Sequence, residues 1–336
     1  MTTSLHHEDW FIPSDTPGLE LHLRNKRRAG QTVFGAARTV VLMHGATYSS
    51  GSLYDTALDG YSFMDFLAHA GFDVYGVDVR GYGGASRLPE MAEPASSHAP
   101  LVRTEVAIRD LATAIDHVLR SKQLERVNLI GMSWGGSVSG AYTARHGSKV
   151  QRLALIAPQW LSKVPIPLDT GGALDAYRVV TVPAARERWL GAAPAGKRHD
   201  LIPAGGFDGW LANTLRDEPD ALLRQQQSIR VPNGAVLDIR EYWGAGTALY
   251  RPEDIAVPVL LVHGEWDVDV PLALAQDYFS HLTGAPGKRW LELGEATHML
   301  MLEKNRQLAF DALAAFMNET LAAPVAADQA DLAVTL

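Results

Sequence analysis

Cysteine is absent from the 336 residues, which removes disulfides, thiolate metal sites and a cysteine nucleophile together. Also missing is any apolar run approaching the about 18 residues that a membrane-spanning helix requires. The first residues, "MTTSLHHEDWFIPSDTPG", carry acids and prolines where a secretory leader needs a basic start and an unbroken apolar stretch. A cytoplasmic protein is therefore expected. Positive charge is in deficit: 30 Lys and Arg against 38 Asp and Glu leave a net charge of −8. That balance argues against nucleic acid or an anionic membrane as partner, because both select basic patches. No internal repeat is visible. A small-molecule partner is the expectation that survives, with a homodimer left open.

What is present suffices for a large core: 47% of the chain is hydrophobic and 20% charged, which suits one large domain or a domain carrying an insertion. Short apolar runs at "RTVVLMHG" (38–45), "FDVYGVDVRGYG" (72–83), "RVNLIGMS" (126–133), "VQRLALIAP" (150–158), "VPVLLVHG" (257–264) and "KRWLELGEATH" (288–298) read as strands. Between them, "TEVAIRDLATAIDHVLRSK" (104–122) sets Val106, Ile108, Leu111, Ile115, Val118 and Leu119 largely along one helical face. Further helices are expected at 135–147, 272–284 and 305–321. Near-continuous Val/Leu/Ile strands alternating with helices predict an α/β fold with a mostly parallel, doubly wound sheet covered on both faces. "DWFIP" and "LELHL" would add antiparallel strands at the front. From 159 to 251 the rhythm fails among prolines, glycines and scattered tryptophans, which reads as a mainly helical insertion over a core of 1–158 and 252–321. The last stretch, 322–336, is Ala-rich and weakly patterned and reads as a flexible tail.

One hexapeptide, "GMSWGG" (131–136), poses a chemical question, since glycines stand two residues to either side of Ser133. G-x-S-x-G arises by chance in roughly one such chain in eight, so the motif alone is weak. Its setting raises the odds: it follows a predicted strand and opens a predicted helix, as a nucleophile elbow does. There the serine also meets the N–H groups of a helix start, which favour developing negative charge. A serine hydroxyl is a poor nucleophile without a base, and the base needs a carboxylate to hold its tautomer. Two later strand ends supply them: "VLLVHGEWDVDVP" carries Asp267 and "LELGEATHMLMLE" carries His298. The order Ser133, Asp267, His298 is the one this architecture requires. Asp269 competes with Asp267 but lies farther from the strand end, and is assigned to capping the helix after Pro271. His44 and His263 each precede a glycine at a strand end and are read as braces of turns. The oxyanion would be held by the backbone N–H of Trp134, after the serine, and of Ala46 in "HGATYSSG".

In "HGA" (44–46), "DVRGYGGAS" (78–86), "GMSWGG" (131–136), "HGEWD" (263–267) and "ATH" (296–298) the chain resembles the α/β-hydrolase superfamily, over about 40–158 and 252–321. The resemblance implies structural roles for Asp78 and Arg80, and a cap domain at 159–251 whose aromatic residues wall the substrate pocket. Tyr48 and Trp160 are pocket candidates, with core packing the alternative for each. Arg178, Arg186, Arg188, Arg224 and Arg230 could recognise a carboxylate but are assigned to a solvated helix face. Serine rather than aspartate in the elbow argues against epoxide hydrolase and haloalkane dehalogenase chemistry. "SWGG" is similar to proline iminopeptidases, yet "HGATY" departs from their H-G-G-P-G. The expectation is a carboxylesterase-like serine hydrolase acting on a small apolar ester without metal or organic cofactor. Alternatives are a carbon–carbon hydrolase of vinylogous diketones, a lactonase, a thioesterase, or a small-molecule receptor of the same fold.

Overall fold

In the computed structural model, which describes residues 4–162, 165–219, 221–222, 224 and 227–319, the chain alternates strands and helices as its periodicity predicts. It runs β1 (Leu5–Pro13), β2 (Glu20–Arg28), β3 (Thr39–Met43), α1 (Ser50–Tyr54), α2 (Phe63–His69), β4 (Asp73–Asp78), α3 (Thr104–Lys122), β5 (Val127–Met132), α4 (Trp134–His146) and β6 (Val150–Ile156). Then follow β7 (Tyr177–Thr181), α5 (Val182–Gly191), α6 (Gly206–Arg216), β8 (Ser228–Pro232), α7 (Gly234–Glu241), β9 (Val259–Gly264), α8 (Leu272–His281), β10 (Lys288–Leu293) and α9 (Arg306–Asn318). The expected tail at 322–336 lies outside the described residues.

Eight strands form one sheet in the order β1-β2-β4-β3-β5-β6-β9-β10. The β1/β2 and β2/β4 pairs are antiparallel, and every pair from β4 through β10 is parallel. Alternate residues of each strand feed opposite faces, as the period of two dictates. Val41, Met43, Leu129, Leu155 and Leu261 pack with α3, α4 and α8, while Val40, Leu42, Ile130, Ile156 and Val262 pack with α2 and α9. Strands β3, β4, β5 and β9 are buried along their whole length, the state their unbroken apolar runs require. On α3, Ile108, Leu111, Ile115 and Val118 are fully enclosed, each such side chain contributing about 1.5–3 kcal/mol.

The chain leaves β3 toward β4 on one side, and β5 then pairs with β3 on its other side. The loops after β3 and β5 therefore diverge and open a crevice at the carboxyl ends of the strands. Residues 159–251 enter between β6 and β9 and lie over this end. Besides α5, α6 and α7 they hold an antiparallel pair, β7 with β8, from Tyr177↔Pro232 to Thr181↔Ser228. That pair departs from the helical expectation, and its cause is local. The β-branched residues Val179, Val180, Ile229 and Val231 favour a pleated, half-buried surface.

Candidate active site

Ser133 occupies the single residue between β5 and α4, at φ 57° and ψ −124°. A non-glycine residue there stores about 1–3 kcal/mol of strain and persists only where neighbours overdetermine it. They do so here. The Ser133 N–H donates to the Ile156 carbonyl at 2.8 Å, and its carbonyl accepts from the N–H groups of Gly136 at 2.9 Å and Ser137 at 3.2 Å. The flanking glycines are steric requirements: a methyl group on Gly131 would collide with the Gly135 carbonyl and Ser139, and one on Gly135 with the His44 carbonyl. Trp134 begins α4, so its N–H belongs to the first turn, where no intrahelical acceptor exists. Its indole is buried and donates to Thr104 Oγ1 at 2.8 Å, which anchors that turn to α3.

His298 follows β10 and Asp267 follows β9, on adjacent strands, and His298 Nδ1 lies 2.7 Å from Asp267 Oδ2. With Nδ1–H donating there, Nε2 is left as the free acceptor of the ring. The other Asp267 oxygen accepts the N–H groups of Asp269 at 2.9 Å and Val270 at 2.8 Å, so its carboxylate is fixed at both ends. Burial pushes the His298 imidazole toward its neutral form, but Asp267 and Asp269 outweigh it and hold the group above its ordinary value. Asp269 does not cap the helix after Pro271. Pro271 itself holds the cap position of α8, and the Asp269 carboxylate pairs with Arg188 of α5 at 2.7 Å. Burial raises that carboxyl, and Arg188 and His298 reverse the shift and keep it low.

Ala46 lies on the loop after β3, next to Gly45, where an added Cβ would stand 3.4 Å from Ser133 Cβ. The peptide that carries the Ala46 N–H has the Gly45 carbonyl at its other end, and His44 Nδ1 meets that carbonyl at 2.7 Å. His44 Nε2 in turn accepts the Val79 N–H at 3.3 Å, so this histidine braces the turn, as does His263 through the Val270 carbonyl. Below the loop, Asp78 accepts the N–H groups of Ser50 and Gly84 and contacts His22 Nδ1. Arg80 pairs with Asp110 and Asp15. Both residues tie loops together away from the cleft.

The crevice spans about 620 Å³ of space not filled by atoms, its open mouth included. Ser133, Ala46 and His298 line it from the sheet side, and Leu168, Arg188 and Trp189 from 159–251. Tyr48 lines it too, with its ring edge-on to Trp210. Trp160 does not. It is 2% exposed, donates to Asp277 at 2.7 Å and packs against Tyr250 and Tyr278, so it belongs to the core beneath α8. The solvated helix face assigned to the arginines also needs correction: Arg188 faces the crevice, and Arg178 sits on β7 turned into the protein. Sequence reasoning missed Glu303. Its carboxylate is fully buried and accepts from Thr297 N at 2.8 Å, from Thr297 Oγ1 and from Trp189 Nε1 at 2.9 Å, which supports the His298 loop from behind. Asp267, Asp269 and His298 offer ligand atoms within 4.8 Å of one another. Both Asp267 oxygens are already engaged, however, and Asp269 faces a guanidinium, an arrangement for ion pairing rather than for a metal.

Residues 38–305 match the family model described as alpha/beta hydrolase fold. The chain belongs to the α/β-hydrolase family. Among its relatives in that family is lysophospholipase L2 of Escherichia coli (strain K12), 26% identical over 84% of this chain and 80% of the relative. Proline iminopeptidase of Lactobacillus delbrueckii subsp. lactis is 22% identical over 79% of this chain and 85% of the relative. Among solved α/β hydrolases, the 2-hydroxy-6-oxo-6-phenylhexa-2,4-dienoate hydrolase of Rhodococcus sp. strain RHA1 superposes with a TM-score of 0.61 at 16% identity, over 94% of this chain and 99% of that one. At that identity the likeness concerns the fold. Among the described residues no helix is long and apolar enough to cross a membrane.

Proposed function

We propose that this α/β hydrolase is a serine hydrolase that cleaves a carboxylic ester through an acyl-enzyme intermediate. One observation carries the reading: strained Ser133 and His298, whose Nδ1 is held by Asp267, line the same crevice together with Ala46. In the first half-reaction His298 Nε2 takes the Ser133 proton as Oγ attacks the ester carbonyl. The Ala46 and Trp134 amides hold the oxyanion, each donor accounting for about 3 kcal/mol of transition-state stabilisation. Asp267 stabilises the imidazolium, which then protonates the departing alcohol. Water enters by the same path, is deprotonated by His298, and releases the acid while the proton returns to Ser133. No step needs a cofactor.

Residues 159–251 act in this reading as a cap, because they supply one wall of the crevice. The crevice lining as a whole is largely apolar, with Leu53 and Met299 from the sheet side and Leu168 and Trp189 from the insertion, which suits an apolar acyl or alcohol group. The Escherichia coli relative, named as a lysophospholipase, supports ester cleavage over carbon–carbon cleavage. The test is intact mass after incubation with a fluorophosphonate, for wild type and Ser133→Ala, beside initial rates on short- to long-chain chromogenic esters. One adduct that Ser133→Ala lacks, with turnover lost in parallel, is the expected result. A folded wild type that takes no adduct overturns the proposal.

A further inference from the structure

Among the described residues, Arg178 is the one arginine of 159–251 that hydrogen-bonds the loop after β3. From β7 its guanidinium spans two elements: Nη1 donates to the Pro232 carbonyl at 3.0 Å and to Asn233 Oδ1 at 3.1 Å, at the end of β8. On the other side, Nη2 donates to the Ala46 carbonyl at 2.8 Å and to Thr47 Oγ1 at 2.9 Å. All four acceptors are neutral, and among the described residues no carboxylate pairs with it. A half-buried guanidinium without an anion is costly, so an unpaired one calls for a reason. Burial pulls it down to about 10, with Arg188 opposing its charge further.

The place of these contacts supplies the reason. His44 pins the carbonyl on the near side of Ala46, while Arg178 and the Tyr82 hydroxyl, at 3.2 Å, pin the carbonyl on the far side. The backbone of Ala46 is thereby held at both flanking peptides, and so is the direction of its N–H. We propose that Arg178 is a positioning residue for the oxyanion site, clasping the Ala46–Thr47 peptide from the cap. The proposal rests on the serine-hydrolase reading. It adds that cap and oxyanion loop form one unit, so that seating the cap and aiming the Ala46 amide are the same event. The fork geometry matters, since a lysine ammonium cannot reach both the β8 end and the Ala46 carbonyl in two directions at once.

The test compares wild type, Arg178→Met, Arg178→Lys and the control Arg186→Met, all as the full chain. Arg178→Met should lower kcat by about 10- to 100-fold with KM within about twofold, the scale expected when an oxyanion donor is misaimed rather than removed. Affinity for phenylboronic acid, whose serine adduct carries the oxyanion's charge, should fall by the same factor as kcat/KM. Amide hydrogen exchange in residues 44–49 should quicken. Arg178→Lys should recover part of each loss and keeps the test usable if the methionine variant fails to fold, and Arg186→Met should change none. An active, fluorophosphonate-labelled wild type whose Arg178 variants match it in kcat and in exchange overturns this proposal alone. A raised KM with unchanged kcat also overturns it, because Arg178 would then bind substrate. A wild type that takes no fluorophosphonate overturns the hydrolase reading first, and this proposal with it.

Discussion

Asp267 and Asp269, two residues apart on the loop after β9, hold different basic side chains: Asp267 meets His298 Nδ1 at 2.7 Å, and Asp269 meets Arg188 at 2.7 Å. One carboxylate orients the imidazole, and the other anchors helix α5 of the 159–251 insertion beside it. Both contribute negative potential at His298.

Replacing the orienting carboxylate should disable the site with its cleft intact. Asp267→Asn is expected to lower kcat by about 10³- to 10⁴-fold, because an amide no longer fixes the tautomer that leaves Nε2 basic. Steady-state rates on the best ester of the panel, beside a melting curve, measure this. A loss under tenfold in a folded variant would mean that another group holds His298.

Asp269→Asn should leave the chemistry running and move its pH dependence. His298 works as a base only when neutral, so the wild-type rate should climb through a midpoint above the ordinary histidine value of about 6.5. Removing Asp269 withdraws a charge that favours the imidazolium and frees Arg188, whose charge disfavours it. Both changes point the same way, and the midpoint of kcat/KM should fall. An unmoved or raised midpoint contradicts the assignment of that field to Asp269.

Gly135→Ala tests the elbow itself. The added methyl would strike the His44 carbonyl, and α4 would have to move off the loop after β3. Such overpacking costs about 1–3 kcal/mol. Labelling of Ser133 by fluorophosphonate should slow with it. Gly147→Ala, at the other end of α4, adds a methyl into open space at helical φ and should leave stability and labelling near wild type. If both variants behave alike, close packing is not what reserves position 135 for glycine.

The sheet strands, the helices at 104–122 and 305–321, and the serine turn were legible because local periodicity and flanking glycines carry them. β7 and β8 were not. Their runs are five residues long, β7 is only partly buried, and 46 residues separate the two partners. Which of Asp267 and Asp269 faces His298 was a choice between neighbours in "EWDVDVP"; distance from the strand end favours Asp267, and the hydrogen bond to His298 Nδ1 falls on that residue. Arg178 lies 132 residues from Ala46, and Trp189 lies 114 from Glu303, so both contacts are long-range ones that only the folded chain brings together. Trp160 misled for the opposite reason. An aromatic residue just past a strand end can face a pocket or a core, and here α8 covers it.

Glu303 offers a prediction about stability, with the sign fixed by its surroundings. Burial pushes the carboxyl up to about 6, against the pull of hydrogen bonds from Thr297 and Trp189. A carboxyl raised on folding contributes its full stability below the unfolded value of about 4.5 and loses it as pH climbs through the folded one. The loss for a shift of that size is about 2 kcal/mol. Glu303→Gln does not titrate, and its amide leaves the Thr297 N–H without an acceptor, a further cost of about 1–3 kcal/mol. Wild type should therefore exceed Glu303→Gln in stability most at pH 4, and the gap should narrow by about 2 kcal/mol by pH 7.5. Chemical denaturation of both proteins at the two pH values measures the gap directly, because their other titrating groups cancel in the difference. A gap that widens with pH would mean that the carboxylate, held by its three donors, is the form the fold prefers.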